Sequence, residues 1–130
     1  MSGVGWVEAG DLIELNRAIV ADTGEPFQLR DFGLLESAVA RPQHIVAYHD
    51  EQDIVALGSA FAVGIAQNHP FAQGNKRTAQ AALFRFLWIN GYTFREPDDL
   101  ELAELMIAVV DHEISEDEYC AALDRHVVER

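Results

Sequence analysis

The segment 54–66 constrains the fold of this chain more than any other feature, because it is apolar on every side. It contains Gly58, Ser59 and Gly64, and it is shorter than the roughly 20 residues that a membrane-spanning helix needs. A helix without a polar face must be surrounded by other elements. With 49% of its residues apolar, the chain has the material for a hydrophobic core. We therefore predict a buried central helix at 54–66.

The segments before the central helix have the end signals of two further helices. Asp11 and Glu14 have the spacing of an N-terminal capping box, which predicts a first helix starting there. A second helix is expected at 31–40 and should end at Arg41-Pro42, because proline disfavours the helical conformation of the residue before it. The β-favouring side chains that follow predict a short extended flap at 43–50.

The segments after the central helix predict three more helices, and the architecture is therefore all-α. A helix at 75–90 should end at Gly91, which suits a left-handed cap, and Trp88 is expected in the core. We treat residues 1–130 as one domain. Asp98 and Asp99 suit the first turn of a further helix, because acidic side chains are favourable there. Ser115 and Glu118 have the spacing of a capping box, which predicts the start of the last helix. That helix is lined by Tyr119, Leu123 and Val127.

The charge of the chain excludes some partners. The formal net charge is −13, from 22 acidic and 9 basic residues. This argues against binding along a nucleic-acid backbone or to an anionic membrane, since both need a basic face. Cys120 is the only cysteine, so an intrachain disulfide is impossible. Residues 1–10 lack the basic and apolar regions of a signal peptide, and we expect a cytoplasmic protein.

The segment 69–79, with the sequence HPFAQGNKRTA, carries the chemistry. It places His69 before a glycine-containing turn that runs into a helix start, where unpaired N–H groups attract anions. Gly74 allows the backbone to approach a ligand, and Asn75 can cap the helix or contact the ligand. Lys76 and Arg77 are cations at a helix N-terminus, which is unfavourable unless an anion such as phosphate binds there.

The sequence predicts a catalytic role for His69 beside such an anion. Histidine, with an ordinary pKa near 6.5, can accept a proton from a hydroxyl group at neutral pH. A hydroxyl group activated beside a phosphate chain indicates phosphoryl or nucleotidyl transfer. Phe71 is expected to point into the core and anchor the loop.

This segment resembles the motif of the Fic/Doc family, whose general form is His-x-Phe-x-(Asp or Glu)-Gly-Asn-(Gly or Lys)-Arg. Lys76 is similar to the death-on-curing (Doc) branch, where other members have glycine. The segments 29–43 and 83–91 also look like this branch. The motif residues in register are His69, Phe71, Gly74, Asn75 and Arg77.

The resemblance implies a bundle of about six helices around a central pair. It implies that His69 is the general base and that Gly74, Asn75, Lys76 and Arg77 hold the phosphates of ATP or another nucleoside triphosphate. The flap residues that would position the target are Val46, Ala47 and Tyr48.

The resemblance also implies partners. Doc proteins are toxins associated with phosphorylating elongation factor Tu, and each is paired with a Phd-like antitoxin whose C-terminal segment folds onto the toxin. Inhibition within the chain is not expected, because the family's inhibitory pattern (Ser or Thr)-x-x-x-Glu is absent from the sequence.

Gln73 departs from the family motif. The family has Asp or Glu at this position, and that carboxylate holds Mg²⁺; an amide oxygen can coordinate the ion but lacks the charge. The sequence therefore leaves three hypotheses: a phosphotransferase, an adenylyl (nucleotidyl) transferase, and a non-catalytic Fic domain that only binds nucleotide or antitoxin.

Overall fold

The computed structural model describes residues 3–49, 53–95 and 99–130. Over these ranges the chain is mostly helical, as the sequence predicted. Its elements in chain order are α1 (Ala9–Asp22), α2 (Phe32–His49), α3 (Ile54–Asn68), α4 (Asn75–Ile89), β1 (Tyr92–Phe94), α5 (Asp99–Val110), α6 (Glu116–Asp124) and β2 (Val127–Glu129).

Helices α3 and α4 form the centre of the bundle. Every residue of α3 from Leu57 to Ala66 is buried, which confirms the predicted central helix. The rings of Phe61 and Phe86 lie 6.0 Å apart across the two helices. A Cβ atom on Gly58 would lie only 3.0 Å from Leu83 Cδ1, so the absence of a side chain there lets the helices approach closely. No helix in the described ranges is long and apolar enough to cross a bilayer.

Helix α1 begins earlier than the capping pattern predicted. Its first residue is Ala9, and Asp11 lies in the first turn rather than at the cap. The Asp11 carboxylate accepts a hydrogen bond of 2.9 Å from the Glu8 backbone N–H. Asp11 is therefore the third residue of the helix and accepts a hydrogen bond from the N-cap residue Glu8, whereas the sequence predicted that Asp11 itself would be the N-cap.

Helix α2 does not end at Pro42, and this prediction was wrong. The helix continues to His49, so the residues of the predicted extended flap are helical up to that point, and Asp50 lies outside the described residues. Proline removes one backbone donor but does not prevent the following residues from continuing a helix that is held by packing. Pro42 is buried, and Arg41 donates a 2.8 Å hydrogen bond to the Ala60 carbonyl of α3. These contacts outweigh the local preference.

Two short strands were missed by the sequence analysis. Strand β1 pairs antiparallel with β2, with Thr93 opposite Val128. Helix α6 therefore ends at Asp124, and Val127 lies in β2 rather than on the last helix. The capping box of Ser115 and Glu118 is confirmed. Strands of three residues are too short to display an alternating pattern.

Trp88 is not in the core, contrary to expectation. It is 54% exposed near the end of α4. The Arg130 guanidinium lies 4.7 Å from the centre of its ring, and Arg130 Nε donates a 2.7 Å hydrogen bond to the Trp88 carbonyl. The predicted cap at Gly91 is present, with a φ angle of 92°.

Candidate active site

The candidate site is built on the loop 69–74, which connects α3 to α4. His69 ends α3 in the left-handed conformation with a φ angle of 49°, and Gly74 precedes α4 with a φ angle of 73°. Glycine adopts this conformation without the steric cost of a Cβ atom. A Cβ atom on Gly74 would also lie 3.3 Å from Val20 Cγ1 and 3.4 Å from Arg77 Nη2. The backbone angle strongly favours glycine there, and the close side chains leave little room for a larger residue.

The chain segment before α2 supports this loop through backbone hydrogen bonds. The Ala72 N–H donates to the Gln28 carbonyl at 3.0 Å, and the Arg30 N–H donates to the Pro70 carbonyl at 2.8 Å. These bonds give the loop a strand-like partner and fix its path between the two central helices.

The Arg30 side chain fixes the residue that the sequence analysis predicted to be the base. Its Nε donates a 2.8 Å hydrogen bond to the His69 carbonyl, and its Nη2 donates at 3.2 Å to the Asn68 carbonyl. The last carbonyl groups of α3 therefore accept hydrogen bonds from a positively charged side chain, and a positive charge is favourable at a helix C-terminus. Sequence reasoning gave Arg30 no role, because its partners lie 38 and 39 residues away.

Phe71 and Asn75 lock the loop from inside. Phe71 is 1% exposed, which confirms the predicted anchor. The Asn75 side chain accepts a 3.0 Å hydrogen bond from the Phe71 N–H and donates one of 2.8 Å to the Phe71 carbonyl. The amide of Asn75 is thus used within the loop and is nearly buried. Its predicted contact with phosphate can be made by its backbone N–H, while its side chain holds the shape of the site.

Asn16 is a second polar support that the sequence analysis missed. It is 1% exposed, and its Nδ2 donates to the Gln73 carbonyl at 2.8 Å and to Thr78 Oγ1 at 3.0 Å. It therefore ties α1 to the loop and to the first turn of α4. The only local signal was a polar residue between Leu12 and Val20 on the buried face of α1.

The His69 imidazole is exposed and has a defined hydrogen bond. Its Nδ1 lies 3.1 Å from the Gln67 carbonyl oxygen. Because a carbonyl oxygen only accepts, Nδ1 carries the hydrogen in this bond, and Nε2 carries the lone pair when the ring is neutral. A ring in this tautomer can accept a proton at Nε2.

A cavity of about 260 Å³ joins His69 to the start of α4. Every predicted residue of the motif lines this cavity except Phe71, which is buried in the core. Val46, Ala47 and Tyr48 lie on the last turns of α2 and are not among the residues that line this cavity. Its lining consists of Glu25, His69, Ala72, Gln73, Gly74, Asn75, Lys76 and Arg77.

The start of α4 has the properties of an anion site. The Thr78 N–H donates to the Gly74 carbonyl at 2.9 Å, so the amides of Asn75, Lys76 and Arg77 precede the regular bonds of the helix. Lys76 and Arg77 are exposed and add positive charge to the dipole of this helix end. Amides and cations together favour a phosphate chain.

Glu25 was not predicted, and it occupies part of this site. Its Oε1 lies 2.6 Å from Arg77 Nη2, and it also accepts a hydrogen bond from the Thr23 hydroxyl group. The hydrogen bond from Thr23 and then the one from Arg77 hold the pKa of Glu25 below its usual 4.5. The carboxylate is therefore ionised at neutral pH, and the pair is lost only as the pH falls through the lowered pKa.

The oxygen donors around the cavity bear on magnesium binding. Gln73 is exposed and lines the cavity together with Glu25. Within the described ranges no group of three or more His, Cys, Asp or Glu side chains could hold a metal ion. Magnesium commonly binds through one or two carboxylates, water and the phosphates of its substrate. Glu25, the Gln73 amide oxygen and a phosphate chain would supply that type of donor set.

Comparisons with known proteins agree with this geometry. A family model described as the Fic/DOC family matches residues 6–87. A protein named Toxin Doc from Mycolicibacterium smegmatis is 41% identical over 105 residues, which cover 77% of this chain and 78% of the relative. A protein named Protein kinase doc from Escherichia phage P1 is 34% identical over 106 residues, which cover 81% of this chain and 82% of the relative.

Two neighbouring substitutions separate the support of the loop from its charge. Asn75→Ala removes both hydrogen bonds to Phe71 and leaves buried backbone groups unpaired, so we expect a loss of roughly 1–3 kcal/mol in the free energy of unfolding. Lys76→Ala, at an exposed position of the same turn, should change it by less than about 0.5 kcal/mol. Urea unfolding followed by circular dichroism measures both. Equal stabilities of the two variants would show that the Asn75 bonds do not hold the loop.

Proposed function

Since this chain belongs to the Fic/DOC family, we propose that it is the toxin of a toxin–antitoxin pair and transfers a phosphoryl group from ATP to a hydroxyl group of a protein target. The observation that carries the proposal is the position of His69. Its ring has Nδ1 hydrogen-bonded to the Gln67 carbonyl and lines the same cavity as the amides and cations at the start of α4.

In this proposal the residues of the chain divide the reaction between them. Nε2 of His69 accepts the proton of the target hydroxyl group while the hydroxyl oxygen attacks the terminal phosphorus of ATP. A bond forms between that oxygen and phosphorus, and the bond to the bridging oxygen breaks, so ADP leaves. Lys76, Arg77 and the backbone amides of the first turn neutralise the phosphate charge. The Gln67 carbonyl stabilises the imidazolium ion through Nδ1.

Magnesium has a place in this scheme although Gln73 lacks a charge. Gln73 and Glu25 would hold the ion together with phosphate oxygens, and the ion would supply charge neutralisation for the phosphate chain. Lys76 and Arg77 would neutralise the phosphate charge whether or not the ion is bound.

The target and the partners belong to the same proposal. One relative is named a toxin and the other a protein kinase, and the resemblance to Doc proteins suggests a target similar to elongation factor Tu, a Phd-like antitoxin and a cytoplasmic location. The net charge of −13 favours a basic segment as the antitoxin contact. Val46, Ala47 and Tyr48 would contact the target. Tyr48 is 80% exposed at the end of α2 and has the free surface for it.

Two other functions are alternatives to this proposal. Nucleotidyl transfer would use the same His69 and the same phosphate cavity, with attack at the α-phosphorus instead. A non-catalytic Fic domain, which binds nucleotide or antitoxin without chemistry, is favoured by the uncharged Gln73 and by the pairing of Arg77 with Glu25. Label transfer distinguishes the three.

The first prediction of the proposed function is that label is transferred from γ-labelled ATP, and not from α-labelled ATP, to a translation factor in the presence of Mg²⁺. His69→Ala removes the base and should reduce the rate at least about 100-fold. Autoradiography of the separated proteins measures both. Label from the α-position alone would indicate nucleotidyl transfer. The absence of any label, equal to the His69→Ala control, would favour the non-catalytic domain.

The second prediction concerns the missing acid. Gln73→Asp places a carboxylate beside the phosphates, so the concentration of Mg²⁺ that gives half-maximal activity should fall by roughly tenfold. Gln73→Ala is the matched control, since it removes the amide without adding charge. A titration of transfer rate against Mg²⁺ measures the change. An unchanged titration for Gln73→Asp would mean that position 73 does not contact the metal.

The third prediction concerns Glu25, which competes with phosphate for Arg77. Glu25→Gln removes the competing charge and, in the absence of Mg²⁺, should lower the dissociation constant for ATP by about two- to fivefold, the range that an exposed ion pair allows. Glu14→Gln, at an exposed position of α1, removes one charge without touching the cavity. Isothermal titration calorimetry measures both variants. Equal affinities would show that the pair with Arg77 does not oppose binding.

A further inference from the structure

A second concave surface adjoins the phosphate cavity. It is a groove of about 260 Å³ between α4 and α5. Lys76 and Arg77 line both this groove and the cavity beside His69, so the two concave surfaces are neighbours on α4. The groove is below the roughly 300–1,000 Å³ of a complete ligand pocket, so it suits one part of a larger ligand. Its lining residues are Lys76, Arg77, Gln80, Ala103, Met106 and Ile107.

Gln80 gives the groove an unexplained polar group. Both its Nε2 and its Oε1 are buried, and neither has a hydrogen-bond partner among the residues that the structure describes. A buried amide without partners destabilises a fold, and native proteins contain few of them. The residue as a whole is only partly buried and lies at the wall of the groove. A rotation of its outer side chain therefore presents the amide to a ligand in the groove.

We propose that this groove binds the nucleobase of the nucleoside triphosphate and that Gln80 selects the base. The inference rests on the proposed function, because it takes the phosphates to lie at the start of α4. A flat base needs apolar walls, which Ala103, Met106 and Ile107 provide. A glutamine amide presents one donor beside one acceptor, which matches the edge of adenine. The occupant is therefore an adenine nucleotide.

Charge favours this groove over the one on the other side of α4. The groove between α1 and α4 is larger, about 410 Å³, and also contains Gln80, but its wall includes the carboxylate of Asp22. That carboxylate would repel the phosphates of a nucleotide. The groove between α4 and α5 shares Arg77 with that groove but adds Lys76, and none of the described residues that line it is acidic.

The test compares the binding of ATP, GTP and inorganic tripolyphosphate by calorimetry at fixed Mg²⁺. Wild-type protein should bind ATP at least about tenfold more tightly than GTP. Gln80→Leu should weaken ATP binding by about tenfold and leave tripolyphosphate binding unchanged. This variant removes an unpaired buried amide, so its folding is not at risk.

A matched pair of variants tests the position of the base. Ala103→Phe fills the groove between α4 and α5, and Ala81→Phe fills the one between α1 and α4. Only Ala103→Phe should weaken ATP binding relative to tripolyphosphate binding. If Ala81→Phe alone weakened ATP binding, the proposal would be overturned. Binding of tripolyphosphate with no effect of Gln80→Leu on ATP would also overturn it and leave the phosphate site intact. Failure of every polyphosphate to bind would overturn the proposed function as well.

Discussion

The reciprocal hydrogen bonds between the Asn75 side chain and the Phe71 backbone are the contact on which the site depends. They connect the first residue of α4 to the middle of the loop, over a phenylalanine ring buried in the core. The position of the loop is therefore tied to the packing of the central helix pair. Arg30 and Asn16 act on the same loop from outside, at the His69 and Gln73 carbonyls. A site held in this way keeps its donors in place before a ligand arrives.

The electrostatics of the site explain why the chain places cations where a helix disfavours them. Lys76 and Arg77 repel the positive end of α4, and in the structure Arg77 is neutralised by Glu25. Glu25 thus supplies a negative charge beside the helix start through its pair with Arg77. A phosphate chain carries more negative charge than one carboxylate, so in the proposed function it would compete with Glu25 for Arg77 and would also interact with the amides. The Glu25–Arg77 pair would then be a weaker form of the interaction that the nucleotide makes.

The sequence predicted the central helix, the motif loop and the all-α architecture because their signals are local. An apolar run, a glycine before a helix and a buried phenylalanine are each visible within a few residues. It failed where distant contacts decide: α2 continues through Pro42 because it packs on α3, and Trp88 is exposed beside Arg130. Glu25, Arg30 and Asn16 were missed for the same reason, since each meets the loop or α4 across a long separation in sequence. The chemistry of the loop was visible, whereas the residues that hold or oppose it were not.

The replacement of an acid by Gln73 changes the charge of the cavity as well as its metal ligands. The lining contains two cations, Lys76 and Arg77, and one carboxylate, Glu25. An acid at position 73 would bring anions and cations into balance and leave the attraction of a polyphosphate to the helix dipole and the metal. With Gln73 the side chains have an excess of one positive charge, which in the proposed function would act directly on the phosphates. The loss of a metal-binding charge would therefore be partly offset by stronger attraction of the nucleotide itself. The balance is set by Glu25, whose ionised carboxylate is the one negative side chain in the cavity lining.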